Sequence, residues 1–144
     1  GAGGGQPQLA IAPEDFNAFE RLLGEIQSAF GRADERALGD RATPEMLSYF
    51  MQDIDKNRRE GLRNEVGNVK LLQGDLAEAW REARSEYATV AMRYSLTDCM
   101  VDTSSGRVVS GSRTEPQEVT EVWTFQRPVG GRADQWELSA IQQT

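Results

Sequence analysis

Apolar residues recur at three-and-four spacing between about residues 14 and 31: Phe16, Phe19, Leu22, Leu23, Ile26 and Phe30 fall on one broad face of a helix. Pro13 and the acidic pair Glu14 and Asp15 suit its first turn, where the helix dipole favours negative charge, and Gly31 suits its end. Asp34 to Leu38 can add a further turn or two. Thr43 is a good N-cap and Pro44 sits at a first helical position, and Met46, Leu47, Phe50, Met51 and Ile54 then make a second amphipathic helix. That helix fades into the polar run DKNRREGLRNE.

The period changes in the second half. YATVAMRYSL, GRVVSG, EVTEVWTFQR and QWELSAIQQ are short, rich in Val, Thr and aromatics, and separated by glycine-containing turns, which predicts an antiparallel meander. In the first of them Ala88, Val90, Met92, Tyr94 and Leu96 share a face. Val119, Glu121, Trp123 and Phe125 share one in the third, and Trp136, Leu138, Ala140 and Gln142 in the fourth. Asp102 to Gly106 supplies one turn and Val129 to Arg132 another. GDLAEAWREARSE resists this scheme, because Ala, Glu, Leu and Arg give it helical propensity. The order predicts an α+β domain, N-terminal helices packed on a curved antiparallel sheet of about four strands that can close into a cone.

At 144 residues the chain is one domain's worth, read as a flexible Gly-rich linker over 1–10, the remnant of a longer parent, followed by a domain over 11–144. GAGGGQPQ has nothing to pack and no initiator methionine precedes it. The net charge of -7 argues against nucleic acid and against a simple coat on an anionic membrane. No apolar run approaches the roughly 20 residues of a spanning helix. The one cysteine, Cys99, reads as a small buried hydrophobe.

The absence of histidine removes most metal sites and every histidine-based triad, so no metal and no cofactor is expected. Gly106-Arg107-Val108-Val109-Ser110-Gly111 lacks the lysine and following helix of a phosphate loop and reads as a hairpin. Lys56, Arg58, Arg59 and Arg63 form the most basic window, either a headgroup or phosphate patch at a membrane or a solvated helix end; the interleaved Asp53, Asp55, Glu60 and Glu65 favour the second. If the strand faces look inward, Met92, Tyr94, Glu121, Trp123, Phe125, Trp136 and Leu138 line the cone, capped by Phe16, Phe19 and Phe50. They form a core first and a ligand pocket only where side chains leave the space unfilled. Glu121 on that inward face requires a partner such as Arg93 or Arg127, or an altered pKa.

Thr43-Pro44-Glu45-Met46, Gly74-Asp75-Leu76, Tyr87-Ala88-Thr89-Val90, Gly106, Val108, Val109, Gly111, Glu121, Trp123 to Phe125, Arg127, Trp136, Leu138 and Ile141-Gln142 together resemble the C-terminal domain of the Tim44 family, in the form of its alphaproteobacterial relatives. The resemblance implies a nuclear-transport-factor-two-like cone, in which GDLAEAWREA is the first strand, and we expect a strand there against its propensity. The family's mitochondrial name-giver is a peripheral inner-membrane subunit of the presequence translocase with a cardiolipin preference. The resemblance therefore implies a non-enzymatic binding module, held at an inner membrane by an upstream region, facing a membrane lipid or an inner-membrane protein partner in translocation or assembly. Two alternatives stand beside it: a small-molecule enzyme of the same fold using Asp98 or Glu121 beside Tyr94, and a weakly self-associating module.

Overall fold

The structure is a computed structural model, and it describes residues 9–144. Three helices, α1 (Pro13–Gly31), α2 (Glu35–Gly39) and α3 (Pro44–Arg59), precede four strands, β1 (Leu62–Glu82), β2 (Ser85–Asp102), β3 (Val108–Pro128) and β4 (Glu137–Gln143). The strands form one antiparallel sheet in the order β1-β2-β3-β4, each next to its neighbour in sequence. This is the expected α+β architecture with the expected number of strands.

The helices begin where the sequence signals place them. The Asp15 carboxylate accepts the Ala12 backbone N–H at 2.9 Å, and Thr43 Oγ1 accepts the Met46 N–H at 3.3 Å, each satisfying a donor that a helix start leaves free. The apolar stripe of α1 (Ala18, Phe19, Leu22, Leu23, Ile26, Ala29) packs on the inner face of the sheet, to which β2 contributes Ala88, Val90, Met92, Tyr94 and Leu96. Phe19 stacks on Phe125 at 4.5 Å and meets Trp136 edge-on at 5.1 Å. Of the three expected capping aromatics, Phe19 is buried, Phe50 is half-buried and Phe16 is exposed.

GDLAEAWREA is a strand, as the resemblance implied. Leu76, Trp80 and their neighbours pair along β2, Leu76 with Val90 and Trp80 with Tyr87. Helix propensity is worth only tenths of a kcal/mol per residue, and ladder pairing outweighs it. The polar run after α3 does not simply trail away as a helix end. Gly61, at φ +71°, turns the chain, and β1 begins at Leu62.

GRVVSG and EVTEVWTFQR, expected as two strands, belong to one: β3 spans both. A bulge between the Leu96–Gln117 and Asp98–Ser112 pairs lets residues 113–116, with Pro116, leave the ladder without ending the strand. Three more irregularities in β1, between Gly67/Lys70, Leu71/Gln73 and Leu76/Glu78, bend the sheet's long first strand.

A bulge also corrects the expected face of β4. Leu138 opposes Phe125, but past the shift at Thr124/Phe125 it is Ile141 that opposes Trp123 and Gln143 that opposes Glu121. Ile141 and Gln143, rather than Ala140 and Gln142, therefore share the face of the inward side chains of β3. The outer edge of β4 is covered at Leu138, which bonds Arg41 and Thr43 of the α2–α3 connection. The expected linker over 1–10 lies outside the described residues as far as residue 8; Leu9 packs against the core and donates its N–H to Ala79 O.

Candidate functional site

Six of the seven candidate pocket residues are core. Met92, Tyr94, Trp123, Phe125, Trp136 and Leu138 are each at most 3% exposed and belong to one apolar cluster with the helices. The seventh, Glu121, is 8% exposed and stands at the boundary between that cluster and an open groove.

The groove has a volume of ≈ 580 Å³. Ile26, Gln27 and Phe30 reach it from α1, Met46, Tyr49, Phe50 and Asp53 from α3, and Ser139, Ala140, Ile141 and Gln143 from β4, with Glu121 supplied by β3. Helical spacing explains the α3 set, since positions 46, 49, 50 and 53 fall on one side of the helix. Tyr49 is 62% exposed despite its size, so the groove presents apolar surface to solvent.

Three neutral donors hold Glu121. Its Oε1 accepts the Tyr94 hydroxyl at 2.6 Å and the Trp123 indole N–H at 2.9 Å, and its Oε2 accepts the Gln143 carboxamide at 2.7 Å. Gln27 in turn donates to the Tyr94 oxygen at 3.2 Å. Burial, together with the hydrogen bond to Glu121 and its charge, drives the Tyr94 hydroxyl far above the usual phenol range, so it is a fixed donor at physiological pH.

Neither expected arginine pairs with Glu121. Arg93 pairs with Glu118 at 3.2 Å, one residue out of phase with the inward set. Arg127 shares the inward parity of Glu121 but lies six residues further along β3, roughly 20 Å at the rise of a strand. There it bonds Asp15 at 2.9 Å and Glu86 at 2.8 Å, with its guanidinium 4.2 Å from the centre of the Trp136 ring. Trp136 donates its indole N–H to Asp15, and Arg81 binds the other oxygen of Glu86. This clasp joins the start of α1 to three strands. Sequence reasoning missed it: Asp15 was assigned to the helix dipole, and only the cross-strand pairing of Glu86 with Arg127 signals the rest.

The other candidates lie elsewhere. Asp98 bonds Asn64 at 3.1 Å, and burial raises its carboxyl above the ordinary range despite that bond. It does not line the groove, although its charge adds to that of Glu121 in raising the Tyr94 phenol. Cys99 is buried.

Arg58 and Arg63 border a cleft of ≈ 550 Å³ between the ends of α1 and α3 and the start of β1, where Arg32 joins them, while Lys56 and Arg59 are exposed on α3 outside it. Interleaved acids do engage this window: Asp55 lies 3.6 Å from Arg58, and Glu65 lies 2.9 Å from Arg63 and also bonds Arg113. Among the described residues no cluster of metal-ligating side chains occurs and no helix is long and apolar enough to cross a membrane.

Helices on the inner face of a four-stranded meander, with β3, which carries Trp123, beside β4, which Trp136 immediately precedes, is the arrangement implied by the family motifs. The sequence profile of the Tim44-like domain matches residues 8–143. The chain belongs to the Tim44-like domain family. Among solved structures, this Tim44-like domain is similar to the intermembrane space region of the chloroplast protein ARC6, with 13% identity and a TM-score of 0.57 over 96% of this chain and 100% of that one. It is also similar to a periplasmic fragment of TraM, with 11% identity and a TM-score of 0.56 over 94% and 100% of the two chains. At such identities the likeness concerns the fold. No curated protein matches the chain.

Proposed function

We propose that this Tim44-like domain is a non-enzymatic binding module of a membrane-anchored parent, and that the groove between α3 and β4 takes an apolar group from a lipid or protein partner at an inner membrane. The observation carrying this reading is the groove itself: Tyr49, Phe50, Met46 and Ile141 gather beside a core already filled by Trp123, Phe125 and Leu138. Apolar surface left open next to a packed core is the signature of a ligand or partner surface. Translocation or assembly of membrane proteins is the process this module fits.

A neutral detergent monomer, octyl glucoside below its micelle concentration, is a suitable probe. Its titration into the isotope-labelled chain moves the NMR resonances of Ile141, Tyr49 and the Trp123 indole saturably, leaves Thr89 on the outer face still, and has no such effect on Ile141→Asp. Shifts that never saturate, or that spread evenly over the sheet, overturn the reading.

A second reading has its own observation. Glu121 is a buried carboxylate facing an open groove, the arrangement a pocket acid or base needs. Against it, hydrogen-bond donors occupy both its oxygens, and two of them, Tyr94 and Trp123, are set in the core. Detergent binding unchanged in Glu121→Gln supports a module in which this carboxylate does no chemistry on apolar ligands.

A further inference from the structure

We infer that the occupant of the α3–β4 groove is a segment of a partner protein presenting one lysine or arginine among apolar side chains, with Glu121 as the receptor of that charge. The inference rests on the groove being the ligand surface and names the class of partner. The two ends of the sheet treat their buried carboxylates differently. At the clasp end, the buried carboxylates Asp15 and Glu86 are both ion-paired, to Arg127 and Arg81. At the groove end, Glu121 is as nearly buried yet is served only by a phenol, an indole and a carboxamide, and no ion pair to it occurs among the described residues. A buried carboxylate gains strongly from a cation brought against it, because the low surrounding polarity amplifies the attraction.

The geometry leaves room for that cation at one oxygen. Oε1 is fixed from inside by Tyr94 and Trp123, whereas Oε2 is held by Gln143, an exposed side chain on the last residue of an edge strand. Turning that carboxamide into solvent frees Oε2 toward the groove without disturbing a core residue. Asp53 lines the same groove and adds a second negative charge. Two carboxylates and a net charge of -7 oppose an anionic headgroup or a fatty-acid carboxylate and favour a cation. Apolar neighbours of the cation on the segment meet Ile141, Phe50 and Tyr49.

Two capped peptides of leucine, alanine and glutamine test this, identical except that one carries a central arginine and the other its neutral isostere citrulline. Binding is followed by the Trp123 indole N–H resonance, which reports on Oε1 directly, and by Ile141. The arginine peptide is expected to bind roughly tenfold more tightly or better, as a charge-assisted hydrogen bond allows. That advantage disappears in Glu121→Gln, which keeps an acceptor for Tyr94 and Trp123. In Gln143→Ala, which removes the competing donor, arginine-peptide affinity rises severalfold, a gain that misfolding cannot produce. Equal affinities for the two peptides in the unmodified chain overturn Glu121 as a charge receptor, and a competing effect of phosphatidylglycerol vesicles at Ile141 overturns the protein segment in favour of a lipid. If octyl glucoside moves Ile141 while neither peptide does, the segment is refuted and the groove reading stands; if none of the three does, both fall.

Discussion

Replacing Arg127 by methionine removes the centre of the clasp while retaining much of its apolar bulk. The guanidinium makes bonds of 2.9 Å to Asp15 and 2.8 Å to Glu86, and the carboxylate side chains are only 4% and 3% exposed. Leaving a buried charge without its partner costs about 3–5 kcal/mol. The lower end applies here, because Asp15 keeps the Trp136 indole and the Ala12 N–H, and Glu86 keeps Arg81. A loss of about 3 kcal/mol is a large share of the roughly 5–15 kcal/mol available to a domain and lowers Tm by roughly 10 °C at this size. Urea unfolding at neutral pH followed by tryptophan fluorescence measures it, with the slope against urea unchanged. Arg132→Met is the control: its pair with Asp134 is 75% and 68% exposed and contributes about 0–1 kcal/mol. Converting Asp15 and Glu86 to Asn and Gln alongside Arg127→Met recovers part of the loss, since no orphaned charge remains. A loss below about 1 kcal/mol for Arg127→Met refutes the view that the clasp stabilises the fold.

The same clasp sets an acid limit. Burial works to raise the Glu86 carboxyl, but bonds from Arg81 and Arg127 outweigh it and hold it below its ordinary 4.5, so its stabilisation is present above that pH and is lost as pH falls through the lower folded value. Acid titration of unfolding shows a shallower decline in Glu86→Gln. At the alkaline end the sign reverses: the raised Tyr94 phenol stabilises fully below pH 10.0, and stability falls as pH rises past it because the unfolded tyrosine ionises first. Tyr94→Phe removes that alkaline decline and costs about 1–2 kcal/mol at neutral pH, measured in the same urea assay. Gly111 and Gly106 share φ +75°, but an added Cβ runs into the Asp98 carbonyl oxygen in the first and meets nothing within 4 Å in the second. Gly106→Ala therefore costs about 1 kcal/mol and Gly111→Ala at least about twice that, with equal losses refuting the close approach.

Much of the helical half was legible because α1 and α3 each carry an apolar stripe and an N-terminal proline in register, α3 with its Thr43 cap as well, and these local signals agree with the packed result. The sheet was legible in composition and less so in extent. β1 hid behind residues whose intrinsic preference is helical, since its strand state comes from β2 alongside it rather than from its own pattern. Bulges account for the remaining misses. A ladder that shifts at residues 113–116 turned one strand into two on the page, and the shift near Ser139 exchanged Ala140 and Gln142 for Ile141 and Gln143. Strict alternation has no means of foreseeing an extra residue. Glu121 stood out in the sequence as an acid among inward aromatics, and it does mark the groove. Its partners were not legible, because the choice between Arg93, Arg127 and neutral donors depends on strand parity and on distance along β3.

The clasp also bears on how the domain comes into being as it is synthesised. Asp15 and Trp136 are 121 positions apart, so the indole that completes the carboxylate's shell is made long after α1 has emerged. Through the intervening stretch α1 has its apolar stripe but neither Phe125 nor Trp136 to set Phe19 against, and the β1–β2 hairpin, whose contacts are local, is free to form first. The β1–β2 face can receive the stripe of α1 early, but Phe19 and Asp15 gain Phe125, Arg127 and Trp136 only near the end of synthesis, so a chain halted before Trp136 lacks contacts that fix the start of its first helix.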